Sequence, residues 1–250
     1  MQFSYAISIL IGAFHMLWTN RLQALKISLI PWVLALLTIY FAENVMHGSF
    51  IEIPDNLSTV GEVLSLILSA ATSVFFIWIA VAWHRLILLE EPCEAVIPTW
   101  HGQNIKAYLI QCLWLGLFIL ALVVVMGLTL LLLHLLSSST WVIGLLSFFK
   151  KSAFVVCAYA IYRFCLILPS AALGRTMGLR ASWRQTKPVR YALAVIAVIM
   201  SLPDIIDPFS FLDGFIYQVV WMIFAYLLFI YGLCIVTTLY GHLVEERALT

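Results

Sequence analysis

The stretch Ala107–Leu136 runs 30 residues without one charged side chain. As a helix at 1.5 Å per residue it is about 45 Å long, more than the hydrocarbon core of a bilayer requires. Nothing else in the chain restricts its possible folds so strongly. A water-soluble domain of 250 residues cannot hide such a segment and also clothe its surface with charges on 10% of its positions. Ordinary soluble domains carry roughly a quarter. With 64% hydrophobic residues and a mean hydropathy of +1.07, disorder is excluded as well. The expected class is all-α: a polytopic membrane helix bundle.

Six crossings are read from the apolar runs: Ile27–Ala42, Val63–Leu89, Ala107–Leu136, Ser152–Leu173, Tyr191–Leu202 and Phe215–Tyr240. The fourth extends backwards if Trp141–Phe149 joins it, and the fifth is short and expected to end at Pro203. Ahead of them, Phe3–Trp18 is apolar but interrupted by Ser4, Ser8, Gly12 and His15. Its Trp18 and the following Arg21 suit the headgroup layer, so an N-terminal interfacial amphipathic helix is expected, with a seventh crossing as the alternative. The N-terminus lacks a basic region and a small-residue cleavage site, so no removable signal peptide is expected.

Charge placement orients these spans. Arg21 and Lys26 precede the first, Arg85 and Lys106 flank the connection between the second and third, and Arg175, Arg180, Arg184, Lys187 and Arg190 lie between the fourth and fifth. The intervening stretches Glu43–Glu62 and Asp204–Asp213 hold acids and no Lys or Arg. The positive-inside rule then places both termini in the cytoplasm, in a cytoplasmic (inner) membrane. Lys150 and Lys151 oppose this assignment unless Trp141–Phe149 lies along the outer interface.

The whole chain reads as one membrane domain with a weak internal similarity. Ala80-Val-Ala-Trp-His-Arg85-Leu-Ile-Leu88 aligns with Ala158-Tyr-Ala-Ile-Tyr-Arg163-Phe-Cys-Leu166, each followed by a proline and a loop tryptophan. This pairs residues 78–136 with 156–203 as a parallel repeat.

Few patterns carry chemistry. Arg163 sits inside an apolar run, where a charge either reaches the headgroups by snorkelling or marks a site for an anionic headgroup or carboxylate. In Gly174–Arg190, Leu179 and Trp183 share one helix side while Arg180, Arg184 and Lys187 share another. That pattern fits a short helix lying on anionic lipid, and equally a bare topology signal. Arg163, Arg175, Arg180, Trp183, Arg184, Lys187 and Arg190 therefore form the candidate lipid- or anion-binding set. The six histidines (His15, His47, His84, His101, His134, His242) place no two convincing haem ligands at one depth. The outer acids Glu43, Glu52, Asp55, Glu62, Asp204, Asp207 and Asp213 read as solvated loop charges rather than a cation site. Cys93, Cys112, Cys157, Cys165 and Cys234 have neither zinc nor disulfide spacing. Ser137–Thr140 has no base beside it, and hydrolase, nucleotide-binding and zinc-protease motifs are absent. No enzyme activity, cofactor or metal is expected, and the balance of 13 basic and 12 acidic residues leaves no footprint for nucleic acid.

The stretch Arg163-Phe-Cys-Leu-Ile-Leu-Pro169 followed by Ala181-Ser-Trp183-Arg-Gln-Thr186 resembles the UPF0259 (YciC-type) six-span bacterial membrane proteins and the membrane domain attached to some glycerophosphodiester phosphodiesterases. In those, an arginine-bearing span ending at proline leads into a short cytoplasmic helix. Here Ala171–Gly174 lacks the acid that the phosphodiesterase-linked domains often carry, and no attached catalytic domain is expected. The resemblance implies an integral membrane accessory protein with no assignable active residues; anionic membrane lipids and other membrane subunits are the expected partners. A small carrier or channel for an anionic solute using Arg163 is the alternative, and a haem-bearing or lipid-modifying membrane enzyme the third.

Overall fold

The computed structural model describes residues 2–46, 58–93, 96–136, 140–209 and 211–249. Within them the regular elements are helical, with no strand. The helices are α1 (Gln2–Thr19), α2 (Arg21–Met46), α3 (Ser58–Leu88), α4 (Gly102–Leu136), α5 (Thr140–Phe164), α6 (Ile167–Ala172), α7 (Leu179–Gln185), α8 (Arg190–Ile206) and α9 (Gly214–Leu243), with a 3₁₀ turn at Lys187–Val189 between α7 and α8. His47, Glu52, Asp55, Ser137–Ser139 and the side chains of Glu43, His134, Thr140 and Lys150 lie outside the described residues.

Five helices are long and apolar enough to cross a membrane: Arg21–Ala42, Val60–Leu88, Gly102–Leu132, Lys187–Ile206 and Ile216–Leu243. That is the architecture of a multi-pass membrane protein. α4 makes the physical case most plainly, because only 6% of its most apolar window is buried by protein. Leu113, Trp114, Leu117, Leu120, Val124, Leu128 and Leu131 all stand exposed along it. Water does not tolerate an apolar wall of that extent, whereas lipid tails wet it at no penalty.

Residues 152–173, expected as the fourth crossing, are not one continuous helix. α5 stops at Phe164, Cys165 and Leu166 form a turn, and α6 begins at Ile167. Pro169 is the cause: it has no N–H for the Cys165 carbonyl, and its ring clashes with that carbonyl in a regular helix. The Leu168 N–H takes the Cys165 carbonyl at 3.0 Å instead. At the other end α5 runs unbroken from Thr140, so Lys150 and Lys151 sit within a helix rather than at its start.

The fifth crossing also differs from expectation, since Pro203 does not end α8. The helix continues to Ile206, where the Asp207 N–H bonds the Pro203 carbonyl at 3.1 Å and Asp207 turns left-handed (φ +45°). A proline near the C-terminal end removes one donor but leaves its own carbonyl free to close the last turn.

The described chain divides into two compact units, one of Met1–Trp18, Ile110–Ser170 and Thr176–Thr250, the other of Thr19–Leu109 and Ala171–Arg175. In the second, α2 packs along α3. Trp32 meets Phe76 edge-on at 5.3 Å, and the Thr38 and Thr72 hydroxyls hydrogen-bond at 2.6 Å, a polar link of the kind that joins helices in lipid. In the first unit α8 packs on α5, burying Ala192, Leu193, Ile196, Ala197 and Ser201, one side of a 3.6-residue repeat. α1 buries Ala6, Ile9, Gly12 and Ala13, and it meets α9 where the Tyr231 hydroxyl donates to the Leu10 carbonyl (3.0 Å) and Tyr5 faces His242 (5.8 Å).

Candidate functional site: a basic elbow clamped by a buried arginine

After α6 the chain needs a sharp turn, and Gly174 supplies it with φ +72°, a left-handed conformation that glycine adopts without penalty. Five residues later α7 begins, with Gly178 extended at its N-cap and its carbonyl taking the Ala181 and Ser182 N–H groups. α7 is only seven residues long. Helices this short are marginal on their own, so packing must hold it.

That packing comes from three inward residues. Leu179 joins Met177 on a cluster of Leu115, Phe164 and Ile167. Ser182 and Thr186, four apart and both fully buried, direct their hydroxyls at the C-terminal end of α5. The Ser182 hydroxyl donates to the Arg163 carbonyl at 3.1 Å. The Thr186 hydroxyl lies 3.1 Å from the same carbonyl and 2.9 Å from that of Ser182. The break at Pro169 leaves α5's last carbonyls without regular helical partners, and the elbow's hydroxyls provide them.

Arg163 completes the joint. It is 2% exposed. Its Nε donates to Thr186 Oγ1 (3.1 Å), Nη1 to the Tyr159 hydroxyl (3.2 Å) and Nη2 to the Trp183 carbonyl (2.8 Å). The guanidinium carbon lies 3.7 Å from the centroid of a Trp183 ring, which also stacks on Phe164 at 5.2 Å. Arg163 is folded back onto the elbow and buried there. All of its partners are neutral, so the positive charge is buried and solvated by hydroxyls, a carbonyl and an indole face.

The outer side of the elbow is the reverse. Arg175, Arg180, Arg184, Lys187 and Arg190 are exposed, as are Trp183 and Tyr191. Arg190 donates to the Tyr191 hydroxyl at 2.8 Å and stacks over its ring. Among the described residues no acid pairs with Arg180, Arg184 or Lys187. Sequence reading separated these cations from Leu179 correctly by helical spacing. It missed Ser182 and Thr186 as the docking pair, although their i, i+4 spacing opposite the cations was a usable signal.

The other elbow, after α3, is held differently. Arg85 grips Glu91 with two hydrogen bonds (2.9 and 2.6 Å) and donates to the Ala172 carbonyl at 3.2 Å, which Asn104 Nδ2 also reaches at 2.7 Å. His101 stands 3.7 Å from Glu91. Burial and the Arg85 charge push His101 below the usual imidazole range, outweighing the opposite pull of Glu91. Both arginines thus tie down the segment that follows their helix, one through a carboxylate and the other through neutral groups.

The remaining histidines are dispersed. His84 is buried beside Tyr108 (3.5 Å from Nε2 to the hydroxyl), His242 Nδ1 bonds the Arg247 carbonyl (2.8 Å), and His15 is exposed. No group of three His, Cys, Asp or Glu side chains converges among the described residues. No protein-family model, curated protein or solved structure matches this chain.

Proposed function

We propose that this chain is a non-enzymatic, multi-pass accessory or assembly protein of the cytoplasmic membrane, of the same broad kind as the YciC-type proteins. It crosses six times with both termini in the cytoplasm, and it engages anionic phospholipid headgroups through the elbow. The broken α5–α6 stretch provides the sixth crossing. α1 lies at the inner interface on Trp18 and Arg21. A seventh crossing by α1 is the second reading, and the lengthwise contacts to α9 at Leu10 and Tyr5 favour it.

The single observation carrying the lipid assignment is the set of exposed, acid-free cations Arg180, Arg184 and Lys187 beside Trp183 and Tyr191, at the start of an apolar span. Each Lys or Arg close to an anionic leaflet contributes about 1 kcal/mol, and aromatic rings favour the same depth. A carrier built around Arg163 has less support, because its guanidinium is 2% exposed and bonded to Thr186, Tyr159 and Trp183. The test is mass spectrometry of lipid co-purifying in mild detergent. Enrichment of phosphatidylglycerol or cardiolipin over the parent membrane, lost in Arg180→Gln/Arg184→Gln/Lys187→Gln, is expected. Lipid in the same proportions as the membrane overturns the reading.

A further inference from the structure

Resting on the lipid reading above, we infer that Arg163 is the positioning residue of the headgroup site: it does not touch lipid but fixes the elbow so that its cations present together to lipid phosphates. Leu179 on its apolar cluster and the Ser182 and Thr186 hydroxyls on the Arg163 carbonyl seat α7 against α5, and the Arg163 side chain adds the contacts that fix its outer residues. The helix has two turns, Gly178 at its N-cap offers no side-chain cap, and Pro188 stops it from continuing. Three of its contacts to α5 run through Arg163's side chain: the Trp183 carbonyl, the Thr186 hydroxyl and the Trp183 ring. These partners flank Arg184 on both sides in sequence, and Thr186 adjoins Lys187. A side chain reaching the elbow only through backbone carbonyl, hydroxyl and ring face constrains rotation about the α7 axis, which sets where the cations point.

The chemistry of the clamp supports a positioning role over a binding role. A guanidinium meant to receive phosphate would present its paired N–H groups to an opening. Here Nε, Nη1 and Nη2 each donate one bond to a protein oxygen, and the group is 2% exposed. The cations left for phosphate are Arg180, Arg184 and Lys187. The ligand class is accordingly a phosphodiester lipid headgroup with net negative charge, held at the surface of a preorganised basic face.

The full chain in uncharged maltoside micelles is titrated calorimetrically with short-chain phosphatidylglycerol, short-chain phosphatidylcholine and inorganic phosphate. Amide hydrogen exchange over residues 179–190 is followed in parallel. Wild type is expected to favour phosphatidylglycerol over phosphatidylcholine. Arg163→Met is expected to weaken phosphatidylglycerol binding at least fivefold, roughly one surface cation's contribution, and to speed exchange in 179–190. Arg163→Lys recovers part of both. Thr186→Val, which removes the Nε partner together with the hydroxyl's contacts to the Arg163 and Ser182 carbonyls, moves both readouts in the same direction and serves if Arg163→Met does not fold. Unchanged affinity in a folded Arg163→Met, with wild-type selectivity intact, overturns the positioning role alone. Absence of selectivity in wild type, or inorganic phosphate binding as tightly as the lipid, overturns the underlying lipid reading.

Discussion

Arg163→Ala measures how much the elbow joint contributes to stability. The substitution deletes hydrogen bonds of 3.1, 3.2 and 2.8 Å from a charged donor and a ring contact at 3.7 Å. Hydrogen bonds to charged groups contribute about 1.5–3 kcal/mol each, and a desolvated cation–π contact about 2 kcal/mol. Opposing them is the expense of keeping a guanidinium away from water, several kcal/mol where no anion compensates it. Truncation also strands the Trp183 carbonyl and the Tyr159 hydroxyl. The balance for Arg163→Ala is a loss of about 2–4 kcal/mol. Arg163→Met also removes the buried charge but refills much of the volume, so it loses less, about 1 kcal/mol. The assay is reversible unfolding in mixed micelles by a denaturing detergent, followed by far-UV circular dichroism. An Arg163→Ala variant within about 0.5 kcal/mol of wild type, the range of ordinary surface substitutions, would refute the clamp.

Three further expectations follow from the same geometry. His101, held below its ordinary pKa by burial and by Arg85, binds its proton more readily once the chain unfolds. Stability should therefore be full above about pH 6.5 and fall on acidification toward the lowered folded value; the gap between melting temperatures at pH 7.5 and 5.5 should narrow in His101→Gln, and a widening would mean that Glu91 dominates. Gly174→Ala, at φ +72° with the nearest atom an ordinary 3.5 Å away on Asn104, should lose about 1–2 kcal/mol from backbone strain rather than collision, read as a shift in unfolding midpoint. Thr38→Val should weaken the α2–α3 pairing through the lost 2.6 Å hydroxyl bond to Thr72 by about 0.6 kcal/mol, the mean for such bonds in membrane proteins; full stability in that variant would mean the hydroxyls do not join the helices.

How much of this was readable from the amino acids depends on the range of the interaction. Crossing helices are specified locally by the length of an apolar run, so α4 was found to within a few residues of its Gly102–Leu136 extent. Helix ends were less legible, because they depend on which carbonyls find partners. Pro169 breaks a helix in mid-course, yet Pro203 sits harmlessly near the end of α8. The cationic side of α7 was visible in its 3.6-residue spacing. Its docked side was only half legible: the i, i+4 spacing of Ser182 and Thr186 opposite the cations marks a common face, but these polar residues are buried only because α5 ends opposite them. Arg163 was singled out by its apolar neighbours, but that signal cannot distinguish a snorkelling side chain from one folded back on Trp183. Only the position of a segment 20 residues further along the chain decides it.

The side of the membrane that the elbow faces decides whether it can meet anionic inner-leaflet lipid. In a cysteine-free background, Lys187→Cys and Asp213→Cys are treated in intact cells with an impermeant maleimide. Labelling of Asp213→Cys alone, with Lys187→Cys reacting only after the cells are opened, is the predicted result. Labelling of Lys187→Cys from the outside would contradict the orientation, and with it the assignment of the elbow to the anionic inner leaflet.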